Sequence, residues 1–279
     1  MSTIALSTGS LHTYGVSRVF ELAAEAGFEA IEVLIDHRWD TRHPAYLRRL
    51  SLEGGLPVVA VHSPFVPSVP GWPSDPIGRL RESAALARQL GAGVVVSHLP
   101  LRVHGARIEF FGIPRHPLML PLPLPVSGDY RRFLLNGLDQ FETEEGVVVG
   151  VENMPAKRAL GRRVDIHSLN TLDALYRLPH LTLDTTHLAT WGIDLLAAYE
   201  RLRARVVHVH LSNFDGAEHR LPQAGRLPLV EFLRQLARDE YDGAVSVELR
   251  PDVLQPENEA QVRAHLQRAF AFCREHLAG

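Results

Sequence analysis

The chain has 279 residues, 46% of them hydrophobic and 22% charged, with a formal net charge of −3 and one cysteine, Cys273. That composition is globular; a single cysteine excludes an internal disulfide framework, and the acidic balance gives no bulk field that would draw nucleic acid. The opening MSTIALSTGS lacks the basic and apolar regions of a signal peptide and no apolar run approaches a membrane span, so a cytoplasmic location is expected.

In chain order, short β-branched runs alternate with longer amphipathic ones. Strands are predicted at TIALS from Thr3, AIEVLI from Ala30, VVAVHS from Val58, GVVVSH from Gly93, VVVGVE from Val147, LTLDT from Leu181, VVHVHL from Val206 and AVSVEL from Ala244. Several are almost continuous in Val, Ile and Leu, as parallel strands covered on both faces are. The first predicted helix, VSRVFELAAEAG, ends on Gly27, a natural stop. DPIGRLRESAALARQL opens with Asp75 as N-cap and Pro76 in the first turn. LPLVEFLRQLARDEYDG and ENEAQVRAHLQRAFAFCREHL carry apolar residues at i, i+3, i+4 and i+7; Cys273, in the second of these, reads as a small buried apolar residue. Eight βα repeats predict an α/β fold, a single-domain (β/α)₈ TIM barrel over residues 1–279. A doubly wound open sheet is the alternative, weakened because no G-x-G-x-x-G follows the first strand.

One segment breaks the alternation. From Leu99 to Ser127 the chain is dense in proline and apolar residues, including Phe110 and Phe111. Proline at this density forbids a regular helix. The segment at 99–127 reads as an insertion, either a flap over the barrel mouth or an oligomer contact.

The last six predicted strands share a feature. They finish in turn on His62, His98, Glu152, Asp184, His210 and Glu248, and His187 follows Asp184 in the next loop. In a barrel those ends converge on the C-terminal mouth, where barrel enzymes keep their chemistry. Taken singly, each has a plain explanation as a structural histidine, a helix cap or an arginine partner. Together, several carboxylates at one mouth repel one another unless a cation or protons neutralise them. A mixed carboxylate and imidazole set suits a divalent metal, Zn²⁺ or Mn²⁺ first, with Co²⁺, Fe²⁺ or Mg²⁺ as alternatives. His208 precedes His210 by two residues and shares its face, one layer deeper or as a support for the ligands. Lys157 is the only lysine and lies in a polar segment, which argues against Schiff-base chemistry.

The pieces AVHSPF, VVVSHLP, GVENMP, LTLDTTH, VHVHLSN, EHRLPQAGRLPL and VSVEL, in this order, resemble the xylose isomerase-like barrels. That superfamily includes sugar-phosphate isomerases and epimerases and the endonuclease IV type of DNA-repair nuclease. The resemblance to the epimerase branch implies one metal held by Glu152, Asp184, His210 and Glu248, with His187 near a substrate oxygen. The nuclease branch holds three zinc ions, and His62, His98 and His219 match some of its further ligands. It also has an aspartate two residues before its last histidine, where this chain has Ala217. A complete third metal site is therefore not expected, while His62 and His98, beyond what a one-metal epimerase needs, leave a two-metal centre open, with His187 and His219 as further candidate ligands.

The preferred expectation is a metal-dependent isomerase or epimerase of a sugar, sugar phosphate or related ketose or polyol. Glu152 and Glu248 would exchange protons at the carbon next to a carbonyl, through a metal-stabilised enediolate, with His187 acting on oxygen. Arg250, His62 and His98 are candidate substrate contacts. Lys157, Arg158, Arg162 and Arg163 are candidates for a substrate phosphate, with a solvated basic loop as the plainer reading. The alternative is a zinc-dependent phosphodiesterase acting on abasic DNA, disfavoured by the acidic balance. A third reading is a barrel that binds a metal or ligand without catalysis. The expected partner is a small carbohydrate, with no membrane; a homo-oligomer stays open.

Overall fold

The structure, a computed structural model, describes residues 2–66, 68–108, 118–125, 128–159 and 161–278, with backbone alone for 103–108, 118–125 and 159. The eight expected strands are all present, displaced by no more than a residue or two. They are β1 (Thr3–Ser7), β2 (Ala30–Leu34), β3 (Val58–His62), β4 (Val94–His98), β5 (Val148–Glu152), β6 (Leu181–Asp184), β7 (Val206–Leu211) and β8 (Ala244–Val247). They pair in parallel and close into a barrel, each beside its sequence neighbour, with β1 against β8. The predicted (β/α)₈ TIM barrel is therefore the fold, and the open sheet is not.

Alternation along each strand separates two faces. The outward positions, such as Val33, Val61, Val149, Leu183 and Val209, are buried under the helices and form the main apolar core. Truncating a large core residue such as the fully buried Phe232 to alanine costs about 3–5 kcal/mol. The inward positions follow from the register: Ser7 opposite Glu32, Glu32 opposite Ala60, Thr182 opposite His208, His210 opposite Ser246. This interior is small and polar where many barrels are branched and apolar.

The helix signals act as expected. Val16–Ala26 stops at Gly27, whose φ of 96° suits glycine far better than a residue with a Cβ. Asp75 caps Pro76–Leu90, its carboxylate accepting from the Gly78 amide at 2.7 Å. Leu229–Arg238 and Glu259–Leu277 form the last two long helices. The C-terminal one packs on Val16–Ala26 through Phe28 and Phe270, ring centroids 5.5 Å apart, and through Arg18 to Glu259 at 2.6 Å. Cys273, on the same helix, is buried, and desolvation pushes its thiol pKa up.

The proline-rich segment contains structure that proline density alone does not suggest. Val103–Ile108 and Leu118–Pro125 pair as an antiparallel ribbon leaving the top of β4. Pro121, Pro123 and Pro125 fall at every second residue. Their missing N–H groups therefore share one side of the strand, the arrangement an edge strand tolerates. The flap expectation also rests on residues 109–117 and 126–127, including Phe110 and Phe111, which lie outside the described residues. A shorter ribbon, Lys157–Ala159 with Arg162–Val164, follows β5.

Candidate metal centre

Strand register builds the rim. His98 stands opposite Glu152 across β4 and β5, and Asp184 opposite His210 across β6 and β7. Glu248 lies just past β8, its amide bonded to the Leu211 carbonyl at 3.2 Å. The result is that Glu152, Asp184, His210 and Glu248 each offer one ligand atom, and these atoms lie within 4.8 Å of one another.

Local sequence holds each side chain. Asn153 accepts from the Asp184 amide at 2.9 Å and donates to its carbonyl at 3.0 Å, pinning the end of β5 to the end of β6. Asp184 caps the helix Thr185–Trp191: Oδ1 accepts from the His187 amide at 2.7 Å and the Thr186 hydroxyl at 3.0 Å. Thr185 ties the same turn to β7 by donating to the Ser212 carbonyl at 2.7 Å. His187 Nδ1 donates to the Asn153 carbonyl at 2.7 Å, so its N–H is on that nitrogen and Nε2 is left to the cavity.

The electrostatics are those of a site short of positive charge. Nδ1 of His210 lies 3.0 Å from Glu152 Oε1 and 3.0 Å from Glu248 Oε2. Two carboxylates at that distance require a proton or a cation between them. Glu152 Oε2 and Asp184 Oδ2 are buried and make no hydrogen bond, although Nε2 of His98 and of His62 lie 3.1 and 3.5 Å from the former. Buried polar atoms are seldom left so. Three carboxylates and an imidazole, two of whose oxygens lack donors, fit a divalent cation well. Burial alone would raise the Glu152 carboxyl pKa, but His210, His62 and His98 hold it well below the ordinary range. Burial opposes charge on Glu248 too, and His210 brings it down to about 2. Burial lowers the pKa of His210, but Glu32, Glu248 and Glu152 outweigh it and raise it well above the ordinary value.

Further histidines border the ring. His219, with φ of 58°, sets Nδ1 3.2 Å from Ser212 Oγ and 4.0 Å from Asp184 Oδ2. Among the described residues three more groups are close enough to share a cation: Asp184 with His187 and His219, His62 with Glu152 and His210, and, deeper in the barrel, Glu32 with His208 and His210. Above them opens a cavity of about 910 Å³, lined among others by Phe65, His98, His167, Lys157 and Glu248. The ring of Phe65 stacks on His98, centroids 5.5 Å apart.

Arg250 departs from its expected place. The strand ends at Val247, so Arg250 no longer shares the face of Glu248; it precedes the helix Pro251–Leu254 and pairs with Asp252 at 2.9 Å. It lines a neighbouring groove with Arg158 and Arg163, outside the cavity over the ring. Glu32 is the residue that strand-end reasoning misses. It sits mid-strand in β2, fully buried, 2.6 Å from His208 Nε2 and 3.0 Å from His210 Nε2. The available signal is a lone glutamate inside the apolar run AIEVLI, a charge that burial makes costly unless partners await it.

Comparison with known proteins bears on the fold. A family model described as a xylose isomerase-like TIM barrel matches residues 20–272. An uncharacterized protein of Mycobacterium tuberculosis is 29% identical over 284 residues, spanning 98% of this chain and 97% of its own length. One from Mycobacterium leprae is 25% identical over 297 residues, with the same coverage. Among solved structures, an L-ribulose 3-epimerase superposes with a TM-score of 0.69 at 18% identity, covering 100% of this chain and 95% of its own. A D-psicose 3-epimerase solved with D-fructose gives 0.68 at 18%, covering 99% and 100%. A 3-keto-D-glucoside 4-epimerase from E. coli gives 0.66 at 19%, with the same coverage.

Proposed function

The chain belongs to the xylose isomerase-like TIM-barrel family, and from that premise we propose that it is a metal-dependent isomerase or epimerase of a sugar, sugar phosphate or related ketose. The observation that carries this reading is the four-residue ring: ligand atoms of Glu152, Asp184, His210 and Glu248 within 4.8 Å of one another, two of the carboxylate oxygens unpartnered. Structural neighbours named as epimerases of L-ribulose, D-psicose and 3-keto-D-glucosides support the substrate class.

A divalent cation bound in the ring supplies Lewis-acid polarisation of a carbonyl and positive charge for a developing enediolate. The chain's residues do the rest. Glu152 and Glu248 reach the ring from strands three steps apart, so a carbon above it meets them from different sides. One carboxylate takes the proton α to the carbonyl and the other returns one, work that contributes ~10²–10⁴-fold in rate. Glu248, with 18% of its side chain exposed against 2% for Glu152, is the more open to the cavity and the one placed to exchange its proton with solvent. His187 offers Nε2 to a substrate oxygen while the Asn153 carbonyl fixes its ring. His62 and His98, on the cavity floor, are substrate contacts. The phenyl ring of Phe65, 59% exposed at the cavity, offers an apolar face to a sugar's C–H groups.

Incubation with Mn²⁺ and a panel of ketoses in D₂O, followed by proton NMR, tests the reading. It predicts metal-dependent deuterium incorporation next to the carbonyl and loss of that signal in Glu152→Gln. Retention of every α-proton across the panel contradicts it.

The two groups that His62 and His219 form at the rim favour one second reading, a multi-metal phosphodiesterase acting on abasic DNA. Ala217, where that chemistry's further aspartate is expected, weighs against it. Cleavage of an abasic duplex with two or three bound zinc ions would replace the first reading.

A further inference from the structure

Glu32 is a carboxylate in the middle of a strand that otherwise reads Ala30, Ile31, Val33, Leu34. It stands below the ligand ring and takes no part in it. It is fully buried, and its carboxylate accepts three hydrogen bonds. Ser7 Oγ donates to Oε1 at 2.8 Å; Nε2 of His208 and Nε2 of His210 lie 2.6 and 3.0 Å from Oε2. Reaching them takes it across the barrel interior, from β2 to β7. The small inward residues Ala5, Ala60, Ala244 and Ser246 leave the room. A buried carboxylate costs several kcal/mol unless its oxygens are answered; here all three donors converge on it.

The partners fix the protons. An accepting carboxylate must face N–H, so both imidazoles carry a hydrogen on Nε2. His208 Nδ1 is buried without a partner, which leaves it as a bare lone pair: an N–H there would be an unanswered donor. His210 Nδ1, on the far side of its ring, faces Glu152 and Glu248.

We infer that Glu32 is a positioning residue for the metal centre. By holding Nε2–H of His210 it fixes the ring's rotation and keeps Nδ1 as the atom presented to the other three ligands. His208 and Ser7 hold Glu32 in turn. An imidazole ligand whose second nitrogen is anchored to a carboxylate binds metal more tightly than a free one. Glu32 touches no substrate and acts through His210 alone. The inference rests on the reading of the four-residue ring as a cation site.

The test measures binding of Mn²⁺ and of Zn²⁺ alone, by competition with a chromophoric chelator, in wild-type protein, Glu32→Gln, His210→Gln and the double variant. Glutamine keeps the size of Glu32 and loses its charge. Glu32→Gln is expected to weaken both metals about tenfold to hundredfold, and to add nothing in the His210→Gln background. A role confined to barrel stability would leave metal affinity unchanged, or would weaken it equally in both backgrounds; either result overturns the inference. Should Glu32→Gln fail to fold, Ser7→Ala removes only the Oε1 donor and carries the test. A smaller loss of affinity supports the inference and an unchanged affinity contradicts it. Wild-type protein that binds neither metal overturns the cation-site reading itself, whereas wild-type binding indifferent to Glu32→Gln overturns the inference alone.

Discussion

Glu152 Oε1 lies 3.0 Å from His210 Nδ1, and the same nitrogen lies 3.0 Å from Glu248 Oε2, so one imidazole edge serves two acids. Without a cation that edge must carry a proton, and the raised pKa of His210 expresses it. A metal binding there displaces the proton. Metal affinity is therefore expected to fall as pH drops through the neutral range, because the proton competes more strongly, and binding is expected to release protons. Calorimetry in buffers of different ionisation enthalpy reads the release directly. Affinity independent of pH, with no proton released, would remove His210 from the ligand set.

Metal should also stabilise the fold. At a hundredfold excess over Kd the gain is about 2.7 kcal/mol, a rise of several degrees in Tm for a chain of this length. Differential scanning fluorimetry with and without EDTA checks it. Wild-type protein should lose the rise on chelation, and His210→Gln should show little to lose.

Glu152→Gln and Glu248→Gln separate proton transfer from folding. Glutamine keeps the size of each side chain, so the barrel is expected to fold, at some cost in stability from the lost pairing with His210. Turnover of a responsive ketose is expected to fall ~10²–10⁴-fold. The check is kcat at saturating metal, which keeps lost affinity from passing as lost chemistry. Wild-type kcat in either variant would exclude that residue as an acid or base.

His167, on the wall of the cavity above the ring, makes stability pH-dependent. Burial pushes its pKa down to about 4 from the ordinary 6.5, and its Nδ1 has no hydrogen-bond partner. Between about pH 6.5 and 4 the unfolded chain binds the proton and the folded one does not. Stability is therefore fully present above pH 6.5 and is lost as pH falls through that window, by about 3 kcal/mol. His167→Asn should flatten this part of the stability profile, measured by urea unfolding from pH 7 to pH 4. Parallel profiles for the two proteins would contradict the assignment.

Gly150 faces the barrel interior opposite Val96, with the Thr182 hydroxyl donating to its carbonyl at 3.2 Å. A Cβ at Gly150 would collide with Thr182 Oγ1 and press on the Thr182 amide at 3.3 Å. Gly150→Ala is expected to cost about 1–3 kcal/mol. It should also shift Glu152, two residues on, and so weaken metal binding. Unchanged Tm and affinity would show that β5 and β6 yield easily there.

The barrel was readable because each strand is a short Val- and Ile-rich run and the helix ends carry their own signals, Gly27 and Asp75 among them. The ring was readable because barrel topology sends every strand's end to one rim, so six chemically similar end residues had to meet. Glu32 was not readable in the same way: its function depends on His208 and His210, three strands away around the barrel, and nothing in AIEVLI names them. Arg250 lies apart from Glu248 for a local reason, since Pro251 starts a helix and ends the alternation that would have kept the two together. The proline ribbon was obscured because proline density excludes a helix without saying whether spaced prolines leave an edge strand intact.

The most direct measurement is a crystal of the protein grown with Mn²⁺, with anomalous scattering recorded above the manganese edge. The account predicts a peak bounded by Glu152, Asp184, His210 and Glu248, with His210 Nδ1 toward it. No density in that ring, or those four side chains turned away from one another, would contradict it.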